Sequence, residues 1–261
     1  MNLDLAGKHA LVCGASQGIG RATAIELAAL GARVTVMARR ADALAKLAAE
    51  LPVVTSGPHD ALVADAADTG ALEAAVRKLV ANAPVDILVN NSGGPPPGAV
   101  ADAPLAAFDA ALRAHLYANH VLAGLVVPHM RARGWGRIVN VISTSVKEPI
   151  PGIGVSNTTR GAVASWSKTL SRELAPAGIT VNNVLPGSTD TPRIAEIVAA
   201  RAAKTGHSEA DVRAEMFAEV PAGRFAAPAE VAAAIAFLCA PAAAYITGVN
   251  LPVDGGRMRS I

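Results

Sequence analysis

Along this chain, short Val/Ile-rich runs alternate with longer segments in which apolar residues recur every three to four positions. Seven runs have the length and β-branched content of strands, at 9–15, 33–39, 61–65, 86–91, 137–143, 179–187 and 248–256. Five of them are near-continuous in apolar character, the signature of strands buried on both faces of a parallel sheet. The segments between them, 18–31, 41–51, 71–83, 104–134, 158–178 and 229–241, carry helical periodicity, and several stop at Gly or Pro. Strand and helix in alternation mean βαβ units, whose crossovers place helices on both faces of one sheet.

The pattern therefore predicts an α/β protein, a Rossmann-like, doubly wound, parallel seven-stranded sheet in a single domain spanning 1–261. No repeat, linker or low-complexity stretch divides it. One segment breaks the rhythm: 191–225 is helical in pattern but intrudes between the sixth strand and the last helix. It follows the carboxyl end of a strand, where open α/β sheets bind ligands, and is expected to be a substrate-lid insertion, the alternative being a merely decorative helical one. Its apolar positions Ile194, Ile197, Val198, Met216 and Phe217 suit a lipid-like or acyl substrate, or plain core contacts.

Composition narrows the function. The chain is 52% hydrophobic and only 3% aromatic, with a net charge of +2. Without a basic run or interleaved aromatics, a nucleic-acid partner has no support. No apolar run reaches the ~20 residues of a membrane helix, and no leader pattern opens the chain, so a soluble, cytoplasmic protein without a membrane partner is expected. Cys13 and Cys239 lie far apart without metal-ligand spacing, as two small buried residues in a reducing compartment would. No metal site is expected.

Chemistry concentrates at strand ends. Gly14, Ser16, Gln17, Gly18, Ile19 and Gly20 follow the first strand and open the first helix. Glycines there allow a tight turn and let a pyrophosphate approach the backbone at a helix N-terminus. At the end of the second strand, a carboxylate would hold a ribose 2′-hydroxyl and an arginine a 2′-phosphate. This chain has Arg39 and Arg40 and no acid before Asp42, so NADP(H) is expected over NAD(H). The plain alternative is two solvated arginines at a turn.

These motifs resemble those of the short-chain dehydrogenase/reductase family over essentially the whole chain. The glycine loop matches the family's T-G-x-x-x-G-x-G with Cys13 for Thr. N90-N91-S92-G93 resembles its N-N-A-G, and P186-G187 followed by Thr191 its nicotinamide segment. G223-R224-F225, Y245-I246-T247-G248 and D254-G255-G256 match its C-terminal pattern. The resemblance implies cofactor contacts at Asp65, Asn91, Ser92, Gly93, Pro186, Gly187 and Thr191. Among family members, β-ketoacyl-acyl-carrier-protein reductase-like proteins are the most similar in these segments. It also implies a homo-oligomer, tetramer or dimer, built on the two long helices and the C-terminal strand.

The family's catalytic tetrad is Asn, Ser, Tyr and Lys. In register, its serine falls on Ser143, its tyrosine on Ser156, its lysine on Arg160 and its asparagine on His115. Tyrosine normally exchanges the proton on the substrate oxygen, its pKa of about 10 lowered by the nearby cation. A serine is a far weaker acid, and an arginine holds charge without releasing a proton. His115 is expected to titrate near neutrality and shuttle protons through water, and Lys147 to polarise a carbonyl if partly buried. Their bland counterparts are a satisfied structural histidine and an exposed loop lysine paired with Glu148. Tyr117, on another helix face, and Tyr245, near the last strand, are not replacements for the missing phenol. Three functions compete: an NADP(H)-dependent oxidoreductase acting on a carbonyl or hydroxyl small molecule, 3-oxoacyl compounds among the candidates; an NADP(H)-binding homologue with little or no turnover, acting as a sensor or partner subunit; and non-redox chemistry of the lyase or dehalogenase type on the same scaffold.

Overall fold

The computed structural model describes residues 1–54 and 57–260. Seven strands form one sheet in the order β3-β2-β1-β4-β5-β6-β7. They are β1 (His9–Cys13), β2 (Arg33–Ala38), β3 (Asp60–Val63), β4 (Ile87–Asn90), β5 (Gly136–Val141), β6 (Ile179–Pro186) and β7 (Asn250–Val253). Every pairing is parallel. The five inner strands are buried almost throughout, whereas edge strands β3 and β7 are only partly covered. That is why the inner runs read as continuous apolar stretches.

Side chains alternate between two core layers, as the pleat requires. On one face Val12, Val36, Val89, Val139 and Val184 meet α1 (Gly18–Ala29), α2 (Ala41–Glu50) and α9 (Pro228–Cys239). On the other Leu11, Met37, Leu88, Ile138 and Val181 meet α3 (Thr69–Asn82), α5 (Ala118–Arg133) and α6 (Gly154–Leu174). Each Leu or Val taken fully out of water contributes about 1.5–3 kcal/mol, so the two layers carry the fold. Cys13 and Cys239 belong to these layers as free thiols, and burial pushes each up to about 12.

A polar ladder crosses the sheet within this apolar core. Asn90 donates to Asn140 (2.8 Å), Asn140 to Asn183 (2.9 Å), and Asn183 to Asn250 (2.7 Å) and Ser167 (2.7 Å). The four asparagines are directly opposed in register across β4 to β7. A slip of one residue would bury their amides unpaired, so the ladder holds these strands in one alignment.

Two helical expectations change. The segment 104–134 is not one helix: α4 (Leu105–Leu112) passes through a five-residue π turn, Arg113–Tyr117, into α5. The π turn widens the backbone locally and rotates His115 into the interior, where it is 2% exposed. The sixth helix starts earlier than the periodicity suggested, at Gly154, because loop and helix entrance pack closely there. A Cβ on Gly154 would sit 2.4 Å from that of Val100. The segment 191–225 supplies α7 (Pro192–Thr205) and α8 (Glu209–Ala218). Among the described residues, no helix is long and apolar enough to cross a membrane.

Candidate active site

In the sheet order, β1 lies between β2 and β4, so the chain reverses direction beside β1. Loops leaving β1 and β4 diverge there and open a crevice at the carboxyl ends of the strands. The crevice is a cleft of about 880 Å³. It runs from the ends of β2 and β3, past the glycine loop, to the entrance of α6 and the first turn of α7.

The glycine loop is shaped by close approach. Gly14 (φ +60°) and Gly18 (φ +57°) occupy the left-handed region that L side chains rarely adopt. The Asn91 amide spans the loop, donating to the carbonyls of Cys13 and Gly14 at 3.3 Å each. The N-cap residue Gln17 makes no side-chain capping bond, and the first turn of α1 holds no acid. The N–H groups of that turn therefore face the cleft without a side-chain partner, which fits an anionic phosphate. Gly20 differs from its neighbours. It does not line the cleft but lets α1 pack against the loop, since a Cβ there would fall 2.3 Å from the Gly14 carbonyl oxygen.

At the β2 end, both arginines line the cleft. Arg40 donates to Gln17 Oε1 (2.6 Å) and Ser16 Oγ (3.2 Å), which braces it against the glycine loop. Arg39 is 77% exposed at the side chain and lies 3.9 Å from Asp65, whose other oxygen accepts from Ala67 N–H. Such an exposed, long ion pair is weak, so the Arg39 fork can turn to a phosphate. Asn91, Ser92, Gly93, Pro186, Gly187 and Thr191 line the middle of the cleft. Thr191 places its methyl group 3.1 Å from the position a Gly18 Cβ would take, joining the start of α7 to the glycine loop.

The far end gathers Ser143, Ser156 and Arg160. Ser143 leaves the end of β5, and its Oγ accepts from Ser145 N–H at 3.1 Å, so the hydroxyl proton remains available to a ligand oxygen. Ser156 lies in the first turn of α6, with Arg160 one turn later on the same face. Arg160 is buried at 8% exposure, and its Nη1 donates to the Val141 carbonyl at 3.0 Å. Its Nε has no partner among the described residues. Burial and the neighbouring Arg193 charge pull the guanidinium down to about 10, still protonated at neutral pH.

The remaining two candidates do not enter the cleft. His115 is buried behind Ser92, with Ser92 Oγ and His115 Nδ1 sharing a hydrogen bond of 2.6 Å. Burial, with the Arg160 charge second, pushes the imidazole down to about 3. The expectation of a histidine titrating near neutrality is therefore overturned: desolvation and a like charge both penalise the imidazolium. Lys147 is exposed and outside the cleft lining. It is not paired with Glu148, which accepts instead from the backbone N–H groups of Arg259 and Ser260. Tyr117 (46% exposed) and Tyr245 (103%) both face outward, so no phenol reaches the site.

Of the apolar residues expected in the lid, Ile194 and Ile197 line the cleft, whereas Phe217 packs edge-on against Phe225 at 4.6 Å. Arg193 is a cleft residue that periodicity alone passed over. It opens α7 directly after Pro192, and its Nη2 donates to the Pro95 carbonyl at 2.9 Å. The only signal for it was its place two residues past Thr191. Among the described residues, no cluster of His, Cys, Asp and Glu could hold a metal.

A family model described as enoyl-(acyl carrier protein) reductase matches residues 14–257. An L-xylulose reductase from Mesocricetus auratus is 35% identical over 257 residues, 98% of each chain. A 3-oxoacyl-[acyl-carrier-protein] reductase from Aquifex aeolicus is 33% identical over 98% of this chain and 99% of its own. The structure of an L-sorbose reductase from Gluconobacter frateurii, complexed with NADPH and L-sorbose, superimposes over 100% of both chains with a TM-score of 0.93 at 30% identity. With the parallel seven-stranded sheet, the glycine loop at its reversal point and matches along nearly the full length, this chain belongs to the short-chain dehydrogenase/reductase family.

Proposed function

We propose that this protein is an NADP(H)-dependent oxidoreductase interconverting a carbonyl and a hydroxyl group on a small molecule, with Ser156 and Arg160 standing at the family's tyrosine and lysine positions. One observation carries the reading: the phosphate-accepting glycine loop, two arginines at the β2 end, and a Ser143–Ser156–Arg160 group share one continuous cleft. The free N–H groups of α1 hold the pyrophosphate, and Arg39 with Arg40 holds the 2′-phosphate. When bound, the dinucleotide supplies or accepts a hydride at the carbonyl carbon. Ser143 and Ser156 donate hydrogen bonds to the carbonyl oxygen, and the buried Arg160 charge stabilises the negative charge that develops on it. The oxygen draws its proton from water through a serine hydroxyl, because Arg160 retains its own. Segment 191–225 acts as the lid over the substrate end.

A second reading has its own support. Among the described residues no histidine lines the cleft, His115 stays neutral behind Ser92, and Arg160 stays charged. Loss of a positioned acid/base costs about 10²–10⁴ in rate, which fits a cofactor-binding homologue with little turnover. NADPH fluorescence titration, followed by NADPH absorbance with a panel of ketoses, β-ketoacyl thioesters, quinones and oxo acids, separates the two. Tight NADPH binding with turnover supports the reductase, whereas tight binding with none across the panel overturns it. Absent NADPH binding would sink both.

A further inference from the structure

The substrate end of the cleft carries an unbalanced positive charge. Arg160 is 92% removed from solvent, has no acidic partner among the described residues, and leaves its Nε without an acceptor. Its Nη2 lies 3.9 Å from where a Cβ of Gly94 would be, facing the loop that walls the cleft. Arg193 is bonded to the next residue of that loop, Pro95, and lines the same cleft. Its one carboxylate contact, Glu196 at 3.3 Å, is 68% exposed and so offsets little of its charge.

Arg160 and Arg193 both line this end of the cleft, and the Arg193 charge is close enough to add to burial in making Arg160 easier to deprotonate. Among the described residues, Asp65 is the one acid lining the cleft. It sits after β3, four strand spacings from β5, or about 19 Å away. Buried charges are normally paired, because a lone ion in a low-dielectric site is costly. Ribose hydroxyls would satisfy donors here but bring no charge. The missing partner is an anion.

We infer that the substrate is an oxo carboxylate, its carboxylate held between Arg160 and Arg193 and its carbonyl oxygen at Ser143 and Ser156. This rests on the reading of the cleft as a reductase site and adds the substrate class. Ser156 and Arg160 are one helical turn apart, so they address neighbouring groups of one small molecule, as in a 2- or 3-oxo acid. Ile153, Ile194 and Ile197 give the rest of that molecule an apolar seat. A planar guanidinium suits a carboxylate through two parallel hydrogen bonds, which a lysine at position 160 could not supply.

The test compares 2-oxo and 3-oxo acids with their methyl esters in NADPH oxidation, and measures thermal shifts of the NADPH complex with the corresponding hydroxy acids. The acids should exceed their esters in kcat/KM by about 100-fold, the value of a desolvated charge-assisted pair. Arg193→Gln, on the surface helix α7, should cut that ratio at least about 10-fold by raising KM, with Arg193→Lys falling between. Thermal shifts by hydroxy acids that vanish in Arg193→Gln would support the anion site even if turnover is absent and the reductase reading fails. Equal turnover of acids and esters, or an acid-to-ester ratio unmoved in Arg193→Gln, would overturn the inference while leaving the reductase intact. Absent turnover together with absent thermal shifts would overturn it as well.

Discussion

Gly20→Ala offers a direct test of how the cofactor end is built. The added methyl would lie 2.3 Å from the Gly14 carbonyl oxygen and 2.7 Å from Asn91 Nδ2. Both neighbours are fixed, one as backbone and the other through its bonds to Cys13 and Gly14. The first turn of α1 must therefore retreat by about 1 Å to reach ordinary contact. Overpacking of this kind costs about 1–3 kcal/mol, a melting-temperature loss of roughly 2–10 °C for a chain of this size. The effect on ligand binding should be larger than the effect on the fold. Hydrogen bonds to a charged phosphate are worth about 1.5–3 kcal/mol each and weaken steeply with distance, so NADPH affinity should fall about 100-fold. Fluorescence titration of NADPH alongside thermal unfolding measures both quantities. Gly70→Ala, in α3 with only the Asp68 carboxylate 3.7 Å from the new methyl, is the control and should leave NADPH affinity unchanged while keeping or slightly raising the melting temperature. A folded Gly20→Ala protein with unaltered NADPH affinity would refute the claim that close approach of α1 to the loop creates the phosphate site.

Three further outcomes are expected. Arg39→Ala should weaken NADPH about 10- to 100-fold in fluorescence titration and leave NADH nearly unaffected; equal losses would remove the 2′-phosphate assignment. His115 has a folded pKa of about 3 against an ordinary value of 6.5, so the unfolded chain binds a proton that the native one refuses between those values. Its contribution to stability is thus complete above pH 6.5 and is lost as pH falls toward 3, at about 1.4 kcal/mol per pH unit. Replacing it with Asn should flatten the decline between pH 6.5 and 4.5 by about 2–3 kcal/mol in urea unfolding, and an unchanged slope would mean the imidazole is already charged in the fold. Asn140→Leu would strand the Asn90 amide and the Asn183 carbonyl inside the sheet. A loss of about 2–5 kcal/mol, or roughly 5–15 °C in melting temperature, should follow; a change under about 2 °C would show that water or relaxation satisfies both groups.

The strands and most of the helices were legible because their pattern reports burial directly. Inner strands covered on both faces are apolar throughout, so β1, β2, β4, β5 and β6 announced themselves, and the glycine loop was marked by residues that only a tight turn requires. Ser143, Ser156 and Arg160 were grouped only through the register of the resembled family's tetrad, and all three line the cleft, where a strand end and a helix start meet. What local pattern could not supply was the environment of each polar group. Histidine at 115 has an ordinary pKa until a π turn buries it beside Arg160, and Lys147 is a catalytic candidate only until its loop leaves it outside the cleft. The asparagine ladder is invisible in any one strand, because its meaning lies in the register of four. Arg193 looked like one more helical surface residue. Charge balance is a property of groups brought together from distant positions, so only the tertiary structure could bring Arg193 near a buried Arg160 that has no acidic partner among the described residues.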